Sequence, residues 1–204
     1  MKQIKPKKIQ QMTLFAILAA ILIVMSITPI GYLKIGIVEI SFLTIPVTIG
    51  AVLLGPAGGA TLGLVFGVTS FMQCFGMSVF GTALLGINPF FTFILCIVPR
   101  VLTGLLVGLI FKVISKVDKA KIVCYAVASL SGAILNTVLF MILLIVCFYN
   151  TEYIQGFVST FGTTNIFAFA FAFAGINAVF EVIAGFVISF PVTKSIARYS
   201  KKLM

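Results

Sequence analysis

Apolar residues fill six long stretches of the chain, at about 12–30, 37–54, 57–75, 87–111, 122–148 and 165–192. Each has at least 18 residues, which is the length that a helix needs to cross the hydrocarbon core of a bilayer. Short segments that contain Gly, Pro or charged residues separate the stretches. The pattern predicts an all-α integral membrane protein in which residues 1–204 form a single bundle of six transmembrane helices.

The composition supports a membrane location and predicts the sidedness of the bundle. The chain is 61% hydrophobic and only 9% charged, with a mean hydropathy of +1.27 and a net charge of +10. All its cations except Lys34 and Arg100 fall in the N-terminal tail, the 112–121 loop and the C-terminal tail, beside apolar stretches rather than on a face suited to nucleic acid. Six helices place these three segments on one side, and the positive-inside rule predicts that both termini are cytoplasmic. The loops at 31–36, 76–86 and 149–164 then face outward.

The fourth stretch carries Arg100 near its middle, where a cation costs roughly 2.5–3.5 kcal/mol on insertion scales. Asn88, Thr92, Cys96 and Arg100 recur every four residues and therefore share one face of the predicted helix. Pro99 is expected to bend the helix beside Arg100. A polar stripe thus leads from the outer surface towards the centre of the membrane.

Two further stretches bring polar groups to a similar level. Counted from the basic cytoplasmic ends, Asn136 and Glu181 reach about the depth of Arg100, and Asn177 lies one turn outward of Glu181. Ionisable groups inside a membrane usually face a bundle interior or cavity and pair with one another. An Arg100–Glu181 pair is expected, either as a clamp between two helices or as part of a ligand site. The predicted substrate-binding residues are Arg100, Asn136, Asn177, Glu181, Asn88, Thr92 and Gln73.

Motifs for catalysis, metal binding and nucleotide binding are missing from the sequence. The chain has no G-x-x-x-x-G-K-[ST] phosphate loop, no His and no C-x-x-C spacing among its four cysteines. We interpret these cysteines as small packing residues, and we expect no metal, no cofactor and no enzymatic activity. One Arg, one Glu and a few amides suit recognition of a small molecule better than catalysis.

Three segments resemble a known family. They are IPVTIGAVLLGPAGGATLGLVFGVTSF at 45–71, INPFFTFILCIVPRVLTG at 87–104 and INAVFEVIAGFVISFPV at 176–192, together with Ala16 and Ala20 four residues apart. They resemble the substrate-binding S component of an energy-coupling factor (ECF) vitamin transporter, and look most similar to the pantothenate-type members. The segment ISFLTIP at 40–46 lacks the Asp that is typical of the riboflavin-type pattern.

The resemblance implies a function, a pocket and partners. It implies a prokaryotic plasma-membrane protein with a vitamin pocket near the outer face, formed by helices four to six and capped by outer loops. It also implies a transmembrane coupling subunit, on which Ala16 and Ala20 would dock, and two cytoplasmic ATPases. Alternatives are an S component for another vitamin, such as riboflavin or a pyridoxine- or thiamine-related compound, a stand-alone secondary transporter, and a membrane scaffold.

Overall fold

The computed structural model describes residues 6–29, 31–35, 38–118, 122–162 and 165–202. These residues form seven helices and one two-stranded antiparallel hairpin. In chain order the elements are α1 (Pro6–Ile27), β1 (Tyr32–Ile35), β2 (Val38–Ser41), α2 (Thr44–Gln73), α3 (Val79–Ile87), α4 (Pro89–Val117), α5 (Val123–Phe148), α6 (Glu152–Thr160) and α7 (Ile166–Lys202). The described chain is therefore predominantly helical, as the apolar stretches predict.

In the part of the chain that the structure describes, five helices contain a segment that is long and apolar enough to cross a membrane. They are Lys8–Ile27, Thr44–Gln73, Pro89–Val117, Val123–Phe148 and Asn177–Ile196. The all-α membrane architecture is confirmed, and the two stretches predicted as separate helices at 37–54 and 57–75 fall largely within α2, which is broken at Gly55.

Helix α2 reverses direction at Gly55. This residue has φ 83° and ψ −176°, a left-handed conformation that glycine adopts without the steric cost of a side chain, and Pro56 follows it. A Cβ placed on Gly59 would lie 2.6 Å from the Cβ of Ala51, and one on Gly50 would overlap Leu62. Residues 50 and 62 of a straight helix would be about 18 Å apart. The two halves of α2 therefore lie antiparallel against each other as a helical hairpin.

The second half of α2 packs closely against α4 through glycines. A Cβ on Gly59 would overlap the backbone of Gly104, and one on Gly63 would overlap the carbonyl group of Arg100. At Gly67 the nearest atom would be the Cα of Ile97, at 2.8 Å. Such close approach of two backbones is possible only without side chains. These glycines belong to an internal helix–helix interface that sets the position of Arg100.

The connection between the first two predicted helices differs from the prediction. The loop predicted at 31–36 and the helix start predicted at 37 are wrong, because β1 and β2 form a hairpin and α2 begins at Thr44. Apolar residues alternate with polar ones in VEIS at 38–41, and β-branched Val38 and Ile40 favour a strand. An apolar run counted only by length does not distinguish this strand from the first turns of a helix.

Two other predicted loops contain short helices. α3 lies in the 76–86 loop and begins at Ser78, whose hydroxyl accepts a hydrogen bond from the Gly81 N–H at 3.3 Å. α6 lies in the 149–164 loop and begins in the same way at Thr151. Side-chain caps of this kind satisfy otherwise unpaired N–H groups and allow short helices to form.

Three long helices extend past their predicted ends. α1 begins before residue 12, α4 continues beyond 111 to Val117, and α7 continues beyond 192 to Lys202. These extra turns carry lysines and arginine, whose long side chains let a helix project beyond the apolar region. Residues 1–5 of the predicted N-terminal tail and 119–121 of the predicted basic loop lie outside the described residues.

Candidate ligand-binding site

A cavity lies in the half of the bundle away from the termini. Its volume is about 110 Å³, counted as space open to the centres of water molecules, which is several times what one water needs. Its wall combines apolar side chains with convergent polar groups, as is typical of small-molecule sites. The lining residues are Tyr32, Ser41, Ser70, Gln73, Cys74, Ser78, Phe80, Gly81, Leu84, Thr92, Leu95, Cys96, Arg100, Asn136, Thr137, Phe140, Met141, Phe173, Ala174, Asn177 and Glu181.

Arg100 is held in the cavity wall by a local feature of α4. Pro99 has no N–H, so the carbonyl of Leu95, four residues earlier, lacks its helical donor. The Nη1 of Arg100 donates to this carbonyl at 2.7 Å. The guanidinium carbon lies 5.4 Å from the ring centre of Phe66 and 5.1 Å from that of Phe140, within cation–π range. Pro99 thus provides an acceptor that anchors the cation next to it.

The guanidinium retains unused hydrogen-bonding capacity. Its Nε is buried and has no partner among the described residues. An orphaned buried donor costs about 1–3 kcal/mol, and more when it is charged. The cavity therefore contains a fixed cation that an anionic ligand group could satisfy.

Glu181 is bound elsewhere. The side chain is 6% exposed, and one carboxylate oxygen accepts from the backbone N–H of Ser41 at 2.9 Å. The other accepts from the hydroxyl of Thr137 at 3.3 Å. The structure shows no Arg100–Glu181 ion pair among the described residues, and each group is hydrogen-bonded to other partners. Glu181 instead connects α7 to the end of the β-hairpin and to α5.

The two predicted asparagines of α5 and α7 both line the cavity. Asn136 is 6% exposed, and its buried Oδ1 has no hydrogen-bond partner in the part of the chain that the structure describes. Asn177 lies one turn from Glu181 on α7 and is 9% exposed. Asn136 therefore offers an unsatisfied acceptor to a ligand donor such as a hydroxyl or an amide N–H.

The remaining predicted site residues are Gln73, Thr92 and Asn88, and two of the three line the cavity. Gln73 and Thr92 line the cavity, but both side chains already make structural bonds. The Nε2 of Gln73 donates to the Ser26 carbonyl at 2.6 Å, and the Thr92 hydroxyl donates to the carbonyl of Asn88 at 2.9 Å. Asn88 itself does not line the cavity, because its side chain caps α4 by accepting from the Phe91 N–H at 3.1 Å.

Several residues that line the cavity were not predicted from the sequence. Thr137 follows Asn136 directly in the sequence, and this position next to a predicted site residue could have indicated it. Tyr32 and Ser41 come from the β-hairpin, which was not predicted from the sequence. Phe80 comes from α3, where its ring lies 5.5 Å from Phe173 and 6.0 Å from Tyr153 of α6. Aromatic residues from the two short helices therefore pack over one side of the cavity.

The predicted docking residues lie on the outside of the bundle. Ala16 and Ala20 are exposed on α1. Ala16 borders an open groove together with Lys8, Phe15 and Leu54. The groove runs between α1 and the turn of α2, at the end of the bundle that carries the termini. This face is accessible to another membrane protein.

A membrane-embedded helical bundle with a partly polar cavity is typical of a small-molecule binding protein of the membrane. The chain matches the family model "ECF transporter, substrate-specific component" over residues 10–193, and it belongs to this family. It is also similar to the pantothenate transporter PanT of Leuconostoc mesenteroides subsp. mesenteroides, with 27% identity over 179 residues that cover 84% of this chain and 83% of the relative. The resemblance found in the sequence is thereby confirmed. The chain is a multi-pass cell-membrane protein that provides the substrate-specific part of a transporter.

Proposed function

We propose that the chain is the high-affinity pantothenate-binding subunit of an ATP-driven ECF importer. The observation that carries the choice of ligand is Arg100, a guanidinium in the cavity wall whose buried Nε has no partner among the described residues. Pantothenate has one carboxylate, two hydroxyls and an amide. The name of the Leuconostoc relative points to the same ligand.

The carboxylate would bind Arg100 through its remaining N–H groups, and a guanidinium and a carboxylate can form two parallel hydrogen bonds. Asn136 and Asn177 would serve the hydroxyl and amide groups. Gln73 and Thr92 would contribute to the wall of the binding site. Asn88 would contribute only indirectly, as the cap of α4. Glu181 contributes by holding Ser41 at the cavity edge, since a second carboxylate would repel the ligand's own charge.

Transport requires partners in this proposal. A transmembrane coupling subunit would dock on Ala16 and Ala20, and two cytoplasmic ATPases would supply the energy, because the chain has no phosphate-loop motif of its own. The two halves of α2 count as two passes, which gives six passes and places both termini in the cytoplasm. The cavity then opens towards the outer face, where the vitamin is captured.

The alternatives make different ligand predictions. A thiamine-related cation would be repelled by the guanidinium, whereas a scaffold protein would bind no vitamin. A stand-alone secondary transporter would bind the same ligand but would need no ATPase.

Titration of the purified wild-type chain with pantothenate and with panthenol, its alcohol analogue, tests the proposal. We expect saturable binding of the acid and at least tenfold weaker binding of the alcohol, because about 1.4 kcal/mol of charge-assisted hydrogen bonding corresponds to a factor of ten. Isothermal calorimetry in detergent measures both affinities. Equal affinity for the two compounds, or binding of neither, would refute pantothenate as the ligand.

A further inference from the structure

Two cysteines face each other in the cavity wall. The sulfurs of Cys74 and Cys96 are 3.7 Å apart, and both residues line the cavity. Their exposed fractions are only 4% and 6%, so the cavity is their route to dissolved reagents. Because a disulfide bond is about 2.05 Å long, an approach of roughly 1.7 Å would join them. The other two cysteines, Cys124 and Cys147, do not line this cavity.

The positions of the two residues allow this approach. Cys74 is the C-cap of α2, where the chain leaves the helix, and its thiol lies 3.5 Å from the Ser70 carbonyl. Residue 81 of α3 packs directly on it, since a Cβ on Gly81 would be 2.7 Å from the Cys74 sulfur. Cys96 lies within the regular part of α4, one turn from Arg100. The end of α2 can therefore adjust while Cys96 stays in place.

We propose that Cys74 and Cys96 form an oxidisable dithiol site in the wall of the ligand cavity, which closes to a disulfide when the cavity is empty and is shielded when ligand is bound. The site itself stands on the geometry of the two sulfurs. The shielding rests on the proposed function, because a carboxylate bound to Arg100 would occupy the space in front of Cys96.

A peroxide is the oxidant that the site would use. One thiol gives up its proton, and its sulfur attacks a peroxide oxygen, which breaks the O–O bond and leaves a sulfenic acid and one water. The sulfur of the second cysteine then displaces the hydroxyl group, which leaves as a second water with the remaining thiol proton. Two thiols are oxidised to one disulfide, and one peroxide is reduced to two waters.

The fraction of sites that hold ligand predicts how far bound pantothenate slows disulfide formation. With pantothenate at ten times its Kd, about one site in eleven is empty. If only empty sites react, the rate of disulfide formation falls about tenfold.

The experiment treats the reduced, purified full-length chain with hydrogen peroxide and follows intact mass and peptide maps. We expect a loss of about 2 Da, the mass of two hydrogen atoms, and a peptide that links residues 74 and 96. C74S and C96S should abolish this loss, whereas C124S and C147S should retain it. The peptide map of the wild type gives the answer even where a variant folds poorly.

Four results decide the matter. A linked Cys74–Cys96 peptide supports the site, and its absence, or a link to Cys124 or Cys147, overturns it. An unchanged rate at an occupancy verified by calorimetry overturns the shielding. If pantothenate does not bind at all, the proposed function fails, while the rate in ligand-free protein still decides the dithiol site.

Discussion

At the scale of single residues, Arg100 and Glu181 have different roles although both are charged groups in an apolar bundle. Both oxygens of Glu181 accept hydrogen bonds from the protein. The guanidinium of Arg100 has its Nη1 anchored and its Nε unpartnered. We therefore expect Glu181 to act mainly on the position of the hairpin, and Arg100 to act directly on the ligand.

Replacing Arg100 tests this division. Removing one partner of a desolvated charge pair costs roughly 2–5 kcal/mol. Arg100→Gln should therefore weaken pantothenate binding by a factor of tens to thousands and abolish the preference for the acid over panthenol. Arg100→Lys keeps the charge but loses the planar fork, so it should recover part of the affinity. Titration of the folded variants measures both effects.

A purely structural Arg100 predicts the opposite pattern. Arg100→Gln would then lower the melting temperature and the yield, while the folded fraction would bind pantothenate with the wild-type affinity. That result would remove the direct role of Arg100 in binding.

Pro99 provides a second, independent test of the same site. Pro99→Ala restores an N–H that can donate to the Leu95 carbonyl, the acceptor that now holds Arg100. The helix gains a hydrogen bond, and Arg100 then competes with the new N–H for the Leu95 carbonyl. We expect weaker pantothenate binding together with an unchanged or higher melting temperature. Binding that stays at the wild-type level would show that the anchor does not position the guanidinium for the ligand.

At the scale of elements, the glycine contact between α2 and α4 determines where Arg100 lies. Gly63→Ala places a methyl group against the Arg100 carbonyl, so the two helices must separate. Overpacking of this kind typically costs 1–3 kcal/mol. We expect a lower melting temperature and a weaker affinity for pantothenate, measured by thermal unfolding and titration.

Gly86 is the matched control for this substitution. It also lies in a helix, but a Cβ there would meet nothing within 4 Å. Gly86→Ala should be neutral or stabilising by up to about 1 kcal/mol, because alanine has the higher helix propensity. Equal destabilisation by both substitutions would contradict the special status of the Gly63 contact.

The elements that the sequence predicts well are those that the bilayer dictates. A span of about 20 apolar residues has few alternatives to a helix, and a lone Arg or Glu stands out against that background. The β-hairpin and the caps of α3 and α6 depend on local hydrogen bonds and tertiary contacts that hydropathy does not record. The hydrogen bond from Arg100 to the Leu95 carbonyl depends on the missing N–H of Pro99. Polar spacing along the helix does not predict it, because Leu95 and Pro99 are apolar. Ser41 is bonded in the site to Glu181, which is 140 residues distant in sequence.

At the scale of the whole molecule, the exposed face of α1 is available for assembly. If Ala16 and Ala20 dock on a coupling subunit, the double replacement Ala16→Trp and Ala20→Trp should block co-purification with that subunit and the ATPases. Pantothenate affinity should remain unchanged, because both residues lie outside the cavity. A pull-down from cells that express all subunits measures assembly, and normal recovery of the partners would exclude this docking face.

Dependence on those partners is itself measurable. We expect the isolated chain in proteoliposomes to bind labelled pantothenate without accumulating it, because it has no nucleotide-binding motif. Concentrative uptake by the isolated chain would favour a secondary transporter instead.

The reversal at Gly55 determines whether the chain crosses the membrane an even or an odd number of times. If α2 were one straight rod, every element after it would lie on the opposite side of the membrane from the proposed one: the carboxyl terminus would face the medium, and Arg100 would be reached from the cell interior. In the proposed topology, the backbone conformation of Gly55 (φ 83°) therefore decides whether Arg100 is reached from the outside or from the cytosol. The sequence signals this reversal only through the Gly and Pro residues at 55–59, because no polar loop separates the two apolar stretches.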